Sequence, residues 1–322
     1  MMKTVIVSLT FLAGVVAYAQ APDSAASGEA AAVLGAAREA LGGEKRLSSV
    51  RTVVASGHTR QLQGDNVVPI EFQVSIELPD KYVRTDEIPA RESGPSSRGF
   101  NGDGLVQSGE PPTPGGRRGG PPPPGPASGT PAGLPPNPTI PVKQDFARLT
   151  LGMFAASFSA YPLSFDHAGQ AEAPEGKADV LDVRGAGNFI ARFFIDSNTH
   201  LPLMLSWSTP PNLVPVVAGQ KPPANLPPGS VTFETPVPPA DSAAPDQKKQ
   251  FEEAALAARQ KAMASARPTE NRMYYADYRE VDGLRLPFRI RRAVGATTIE
   301  ETTFDRYRIN VRVDPRRFEV RK

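Results

Sequence analysis

Three stretches of this chain alternate apolar and polar residues with a period of two. In the first, Ile70, Phe72, Val74, Ile76 and Leu78 are set against Glu71, Gln73, Ser75 and Glu77. In the second, Leu284, Leu286, Phe288 and Ile290 are set against Arg285, Arg289 and Arg291. The third sets Tyr307, Ile309, Val311 and Val313 against Arg306, Arg308, Asn310 and Arg312. Successive side chains of a strand point to opposite faces, so each stretch reads as a strand with one dry face and one wet face. Seven further strands are expected at 50–60, 80–87, 97–107, 178–185, 188–196, 201–208 and 271–280. Asn101-Gly102-Asp103-Gly104 and Asp282-Gly283 supply hairpin turn chemistry. The strands follow one another through short turns with no regular helix between them, which favours an antiparallel sheet over crossover units.

Few helices accompany these strands. Ser27 is placed to cap a helix through Leu41 that Gly42-Gly43 would stop. Phe146, Leu149, Met153 and Phe154 form an apolar stripe in a helix expected over 143–158. Residues 247–266 read as a polar helix with a narrow stripe of Phe251, Ala255, Ala258 and Ala262. The fold class is therefore mainly β with a few helices (α+β). Every alternating strand has an apolar face that must be covered. A flat sheet of about ten strands would leave much of that face bare, whereas a curved sheet wrapped around a helix covers it. The concave interior of such a sheet is either packed core or a cavity for an apolar ligand, and phase alone does not separate the two. The candidates that face it are Phe72, Val74, Ile76, Phe193, Leu203, Leu205, Trp207, Leu286, Phe288, Ile309 and Val311.

Proline divides the rest. Residues 111–141 hold 13 prolines and residues 210–239 hold 10. Proline has no backbone donor, so neither stretch can cross a sheet interior. Both read as extended insertions, at about 108–141 and 209–246, in one domain spanning 20–322. Ahead of that domain, Lys3, an apolar run from Thr4 to Val16 and Ala17-Tyr18-Ala19 have the layout of a secretory signal peptide cleaved after Ala19. The apolar run is shorter than the roughly 20 residues of a spanning helix, so the processed chain is not expected to span a membrane. No cysteine is present, which excludes disulfides, thiolate nucleophiles and cysteine-ligated metals.

Four stretches carry a family resemblance. They are Ala40-Leu41-Gly42-Gly43-Glu44-Lys45-Arg46-Leu47 before the first strand; Glu77-Leu78-Pro79-Asp80-Lys81-Tyr82-Val83-Arg84 followed by Gly99-Phe100-Asn101-Gly102-Asp103-Gly104-Leu105-Val106; Phe193-Phe194-Ile195-Asp196 leading through a polar turn to Leu201-Pro202-Leu203; and Tyr275 to Phe288 with its Asp282-Gly283 and Leu286-Pro287. In their order and spacing the chain resembles the periplasmic outer-membrane lipoprotein-carrier and lipoprotein-sorting superfamily. The resemblance implies an unclosed β-barrel covered by helices, a periplasmic location, and an acyl chain or other amphiphile in the apolar concavity. Arg84 stands where it suggests the family's lid-closing arginine.

Catalytic signatures are missing. The chain has no H-E-x-x-H, G-x-S-x-G, P-loop or G-x-G-x-x-G, and Gly185-Ala186-Gly187 reads as a turn between strands. His58, His167 and His200 are far apart and no metal site is expected. Asp179 with Asp182, or Glu300 with Glu301, could form an acid–base pair only if they faced each other across a cleft. No cofactor is expected. The formal charge of +2 predicts no nucleic-acid affinity. Residues 285–322 nevertheless hold eleven Lys or Arg against five Asp or Glu; this basic strand face could meet phospholipid headgroups or an acidic partner, or be a solvated face that discourages edge pairing. The leading expectation is a non-catalytic carrier of an apolar or acylated ligand, lipid or lipoprotein. The alternative is an envelope sensor or structural module that binds a protein partner and no small ligand.

Overall fold

The computed structural model describes residues 24–64, 66–89, 94–109, 137–173, 176–223, 226–240 and 244–320. The expected signal peptide and residues 110–136 of the first proline-rich insertion lie outside them.

Two helices open the described chain, α1 (Ser24–Ala40) and α2 (Glu44–Ser49). Between them Gly42 and Gly43 take φ of +131° and +88°, and the Gly43 N–H donates back to the Arg38 carbonyl. A side chain on Gly42 would meet the Gly283 carbonyl at 2.5 Å, so the turn also needs glycine for its close approach to a hairpin. Five strands follow: β1 (Thr52–Gln63), β2 (Asn66–Glu77), β3 (Lys81–Glu87), β4 (Ser96–Asn101) and β5 (Gly104–Ser108). The helix α3 (Ile140–Phe154) separates them from β6 (Leu163–Ala173), β7 (Gly176–Gly185), β8 (Phe189–Asp196) and β9 (Pro202–Thr209). After β10 (Asn212–Val217), β11 (Ser230–Thr235) and α4 (Pro245–Ser265), the chain returns through β12 (Thr269–Val281), β13 (Leu284–Val294) and β14 (Thr297–Ile309) to a single 3₁₀ turn at Pro315–Phe318.

Twelve strands form one antiparallel sheet in the order β5-β4-β3-β2-β1-β14-β13-β12-β9-β8-β7-β6. β5 and β6 do not pair with each other, so the barrel is unclosed. Its curvature follows from α3, which contacts β4, β13 and β9. These strands are second, seventh and ninth in the order, and one helix reaches all three only if the sheet curls around it. The helix is held there by side chains from β12. Tyr275 donates to the Arg148 carbonyl at 2.6 Å and Tyr278 to the Gly152 carbonyl at 3.0 Å. Gly152 permits the approach, because a Cβ there would meet the Tyr275 ring at 2.4 Å. The main core lies in this layer, with Phe146, Leu151, Met153 and Phe154 of α3 buried against Ile76, Phe100, Phe193, Leu205 and Leu286. A smaller cluster on the outer face buries Val54, Val83, Val106, Val313 and Phe318.

The differences from the sequence reading have local causes. The last strand begins at Thr297 and ends at Ile309, where Asn310 takes φ of +54°. The alternation through Val311 and Val313 therefore does not continue the strand; both residues pack under the tail on the outer face. β6 has no buried residue and so no apolar phase to read. The second insertion contains a parallel pair, β10 with β11, and is not wholly without regular structure. Pro215 is accommodated because this sheet has only two strands, leaving each with a free edge.

Gly57 marks a register shift of β1 against β14. A Cβ there would lie 2.1 Å from the Thr303 carbonyl. Gly57→Ala is expected to lower stability by about 1–3 kcal/mol, read as a fall in Tm. An unchanged Tm would contradict that contact.

Candidate functional site

At the end of the concave face that carries the β1–β2, β3–β4 and β13–β14 turns, the core gives way to a cavity of about 480 Å³. Alternation brings Ile70 and Val74 of β2, Met273 of β12, Ile290 of β13 and Phe304 of β14 to its apolar side, with Val142 and Leu149 of α3 as the roof.

The other side is polar and continuous. Arg84 donates through Nε to Asp86 Oδ1 at 2.7 Å and through Nη2 to Thr59 Oγ1 at 3.2 Å. The Thr59 and Thr302 hydroxyls lie 2.9 Å apart, and Thr302 donates to Glu300 Oε1 at 3.2 Å. Glu300 accepts from Arg292 Nη1 at 3.4 Å. The chain Asp86–Arg84–Thr59–Thr302–Glu300–Arg292 thus crosses β3, β1, β14 and β13 on the concave side. Burial works against the charge of Arg84, but Asp86 and Glu300 outweigh it and hold its pKa above the ordinary arginine value. Its guanidinium lies 4.7 Å from the centre of the Phe72 ring. Both hydrogen bonds of Arg84 go to strand residues, so it does not act as a clasp on a helix.

Two cations remain incompletely used. Arg292 has a buried Nε with no hydrogen-bond partner. Arg98 is directly opposite Arg84 in the β3–β4 ladder, faces the same cavity, and has no ion pair among the described residues. Like charges directly opposite are destabilising unless something compensates them. Behind α3, Arg148 pairs with Asp145 at 2.9 Å and lies 4.5 Å from the Trp207 ring centre and 5.3 Å from that of Phe189. Burial lowers its pKa; Asp145 opposes that shift and Arg292 adds to it.

The eleven candidates separate in the structure. Phe72, Val74, Ile76, Phe193, Leu205, Leu286 and Phe288 are buried in the main core, with Trp207 and Ile309 half-buried against it. Of all eleven, only Val74 lines the cavity. Leu203 is 38% exposed on the outer face, because a bulge between Phe194 and Ile195 reverses the phase of β9. Val311 sits under the C-terminal tail. The polar network was readable in principle: Thr59, Arg84, Asp86, Arg292 and Thr302 are all in phase with apolar neighbours on their strands, where a polar residue faces inward.

The alternative pairs and ligands do not assemble. Glu300 lines the concave cavity while Glu301 lines the outer groove. Asp179 bonds Gln170, and Asp182 lies near Arg192 and Arg184. Among the described residues no three His, Cys, Asp or Glu side chains gather to hold a metal, and no helix is long and apolar enough to cross a membrane.

Solved structures similar to this chain include a LolA superfamily protein from Nitrosomonas europaea, at 14% identity and a TM-score of 0.46, covering 91% of this chain and 97% of that one. A DUF1329 family protein from Desulfovibrio piger matches at 9% identity and a TM-score of 0.41, covering 90% and 97%. A putative outer membrane lipoprotein-sorting protein domain from Vibrio parahaemolyticus matches at 8% identity and 0.43, with the same coverage. No family model and no curated protein matches the chain.

Proposed function

We propose that this is an exported, non-catalytic binding protein of the periplasm that holds the apolar chain of an anionic amphiphile, a lipid or an acylated protein terminus, in the concave cavity. The observation that carries the reading is the two-sided lining. The volume lies within the roughly 300–1,000 Å³ of small-ligand pockets, and Ile70, Val74, Leu149, Met273, Ile290 and Phe304 offer a dry wall. On the other side, Arg98 is a cation without a counter-charge among the described residues, beside the paired Arg84, where a carboxylate or phosphate would compensate both. The described carboxylates that line this cavity are engaged: Asp86 with Arg84, Glu300 with Arg292 and Thr302, Asp145 with Arg148. Among the described residues that arrangement neutralises charge and leaves no carboxylate pair facing across a gap, which supports holding over cleaving. The single-domain organisation over 20–322, with export through residues 1–19, is part of the same proposal.

A cavity-filling pair tests it. Val74→Phe with Val142→Phe adds bulk to both the floor and the roof. The pair is expected to weaken binding of a dansyl-labelled fatty acid by roughly tenfold or more, about 1.4 kcal/mol, while the far-ultraviolet circular dichroism stays native. Equal affinity in a folded double variant would contradict the proposal.

A further inference from the structure

The outer face carries a second and larger groove, of about 980 Å³, on the opposite side of the sheet from the cavity. Its floor is one ladder row. Phe194 pairs with Met204, Met204 with Tyr274, Tyr274 with Arg291, Arg291 with Glu301, and Glu301 with Arg60. At about 4.8 Å per strand, the row spans about 24 Å. Its β8–β12 half is apolar and only partly buried, with Leu203 exposed beside it. Its β13 part is cationic. Arg291 lies 4.3 Å from the centre of the Tyr274 ring. Neither it nor neighbouring Arg289 closes an ion pair among the described residues: Glu301, opposite Arg291, pairs with Arg60, and Asp277, whose charge Arg289 feels, is bonded to Arg279. Farther along, Arg60 and Glu301 satisfy each other at 3.2 Å. The β6–β7 hairpin contributes Ala171, Ala173 and Lys177 to the same groove.

We propose that this groove docks a polypeptide segment that places apolar side chains over Phe194, Met204 and Tyr274 and acidic side chains against Arg289 and Arg291. Shape and charge select that occupant. The floor is a row about 24 Å long across the strands, walled on one side by the β6–β7 hairpin, a span that an extended segment of about eight residues matches. A polypeptide covers the floor and presents its own polar side to water. The charge decides the rest, since two exposed arginines that close no ion pair of their own, next to an apolar strip, complement acid next to hydrophobe. The chain's own residues 110–136 do not supply that charge, having Arg117 and Arg118 against a single acid, Glu110.

Methionine positions make the test direct: Met204 is in this groove and Met273 lines the concave cavity. The probe is a peptide of alternating leucine and glutamate, about eight residues long so that it crosses the row, titrated into the full chain and read by methionine methyl NMR. Expected is a saturable shift of Met204 with Met273 unmoved. The affinity should fall by roughly tenfold or more in Arg289→Gln/Arg291→Gln, and a leucine–lysine peptide should leave Met204 in place. An unmoved Met204, equal affinity in the double variant, or equal binding of the lysine peptide would overturn the proposal. So would perturbation of Met204 by phosphatidylglycerol-containing vesicles but not by the acidic peptide, which would assign the face to a membrane surface.

Discussion

Raised above about pH 10, the protein is expected to unfold in one cooperative step in which buried tyrosines ionise together. Burial pushes the phenol pKa values of Tyr82, Tyr275, Tyr278 and Tyr307 upward. Three of them use the proton structurally. Tyr275 donates to the Arg148 carbonyl, Tyr278 to the Gly152 and Pro202 carbonyls, and Tyr307 to the Pro287 carbonyl at 2.7 Å. A phenolate cannot donate, and two of these bonds hold α3 to the sheet. The sign follows from proton uptake. An unfolded tyrosine loses its proton near pH 10, while the folded one keeps it, so between those values the folded state binds more protons and stability falls as pH rises. The contribution is fully present below pH 10. Each group costs up to about 1.4 kcal/mol per pH unit, and four together about 5 kcal/mol per unit. Against a total stability of roughly 5–15 kcal/mol, one to three units suffice. Tyrosinate absorbance and circular dichroism should therefore change together. Absorbance that rises smoothly through pH 10 while the sheet signal stays native would contradict this.

Phe146→Ala is expected to cost about 3–5 kcal/mol. Phe146 is 1% exposed and is the aromatic side chain by which α3 packs on the first half of the sheet, beside the Lys143–Asp103 ion pair. Its ring centre is 5.3 Å from that of Phe100, 5.7 Å from Tyr82 and 5.8 Å from Phe158. The loss includes the transfer term, the residual void and three aromatic contacts. Chemical denaturation followed by Trp207, the one tryptophan of the chain, reads it out. Leu256→Ala on the exposed side of α4 serves as a control and should stay within about 0.5 kcal/mol. A cost below about 1 kcal/mol for Phe146→Ala would show that α3 does not organise the core.

Much of this architecture was legible wherever one face of a strand is dry and the other wet. β2 and β13 declare themselves by phase, and the Asp282-Gly283 hairpin by turn chemistry, with φ of +52° and +78° in the structure. The need to cover so long an apolar face correctly called for a curved sheet around a helix, and the stripe of Phe146, Leu149, Met153 and Phe154 is that helix. Elements with little burial were invisible: β6 is an edge strand of mostly small and polar residues with only Leu163 and Phe165 against the core, and β10–β11, where Val216 alone is buried, lies among prolines. The site was less legible than the fold for a different reason. Apolar residues in phase mark the whole interior, and α3 fills most of it, so ten of the eleven candidates do not line the cavity. What distinguishes the cavity is polarity in the apolar phase, at Thr59, Arg84, Asp86, Arg292 and Thr302. The bulge in β9 that sends Leu203 outward leaves no trace in the alternation.

On the function proposed above, the concave cavity, and no other described surface, takes the apolar chain of an anionic amphiphile. Methionine methyl NMR of the full chain titrated with dodecanoate reads this out. Expected is a saturable shift at Met273 with Met204 unmoved, and a weaker response in Arg98→Gln as the headgroup loses its cation. A Met273 resonance that stays in place up to the solubility limit of the fatty acid, or a response at Met204 alone, would contradict it.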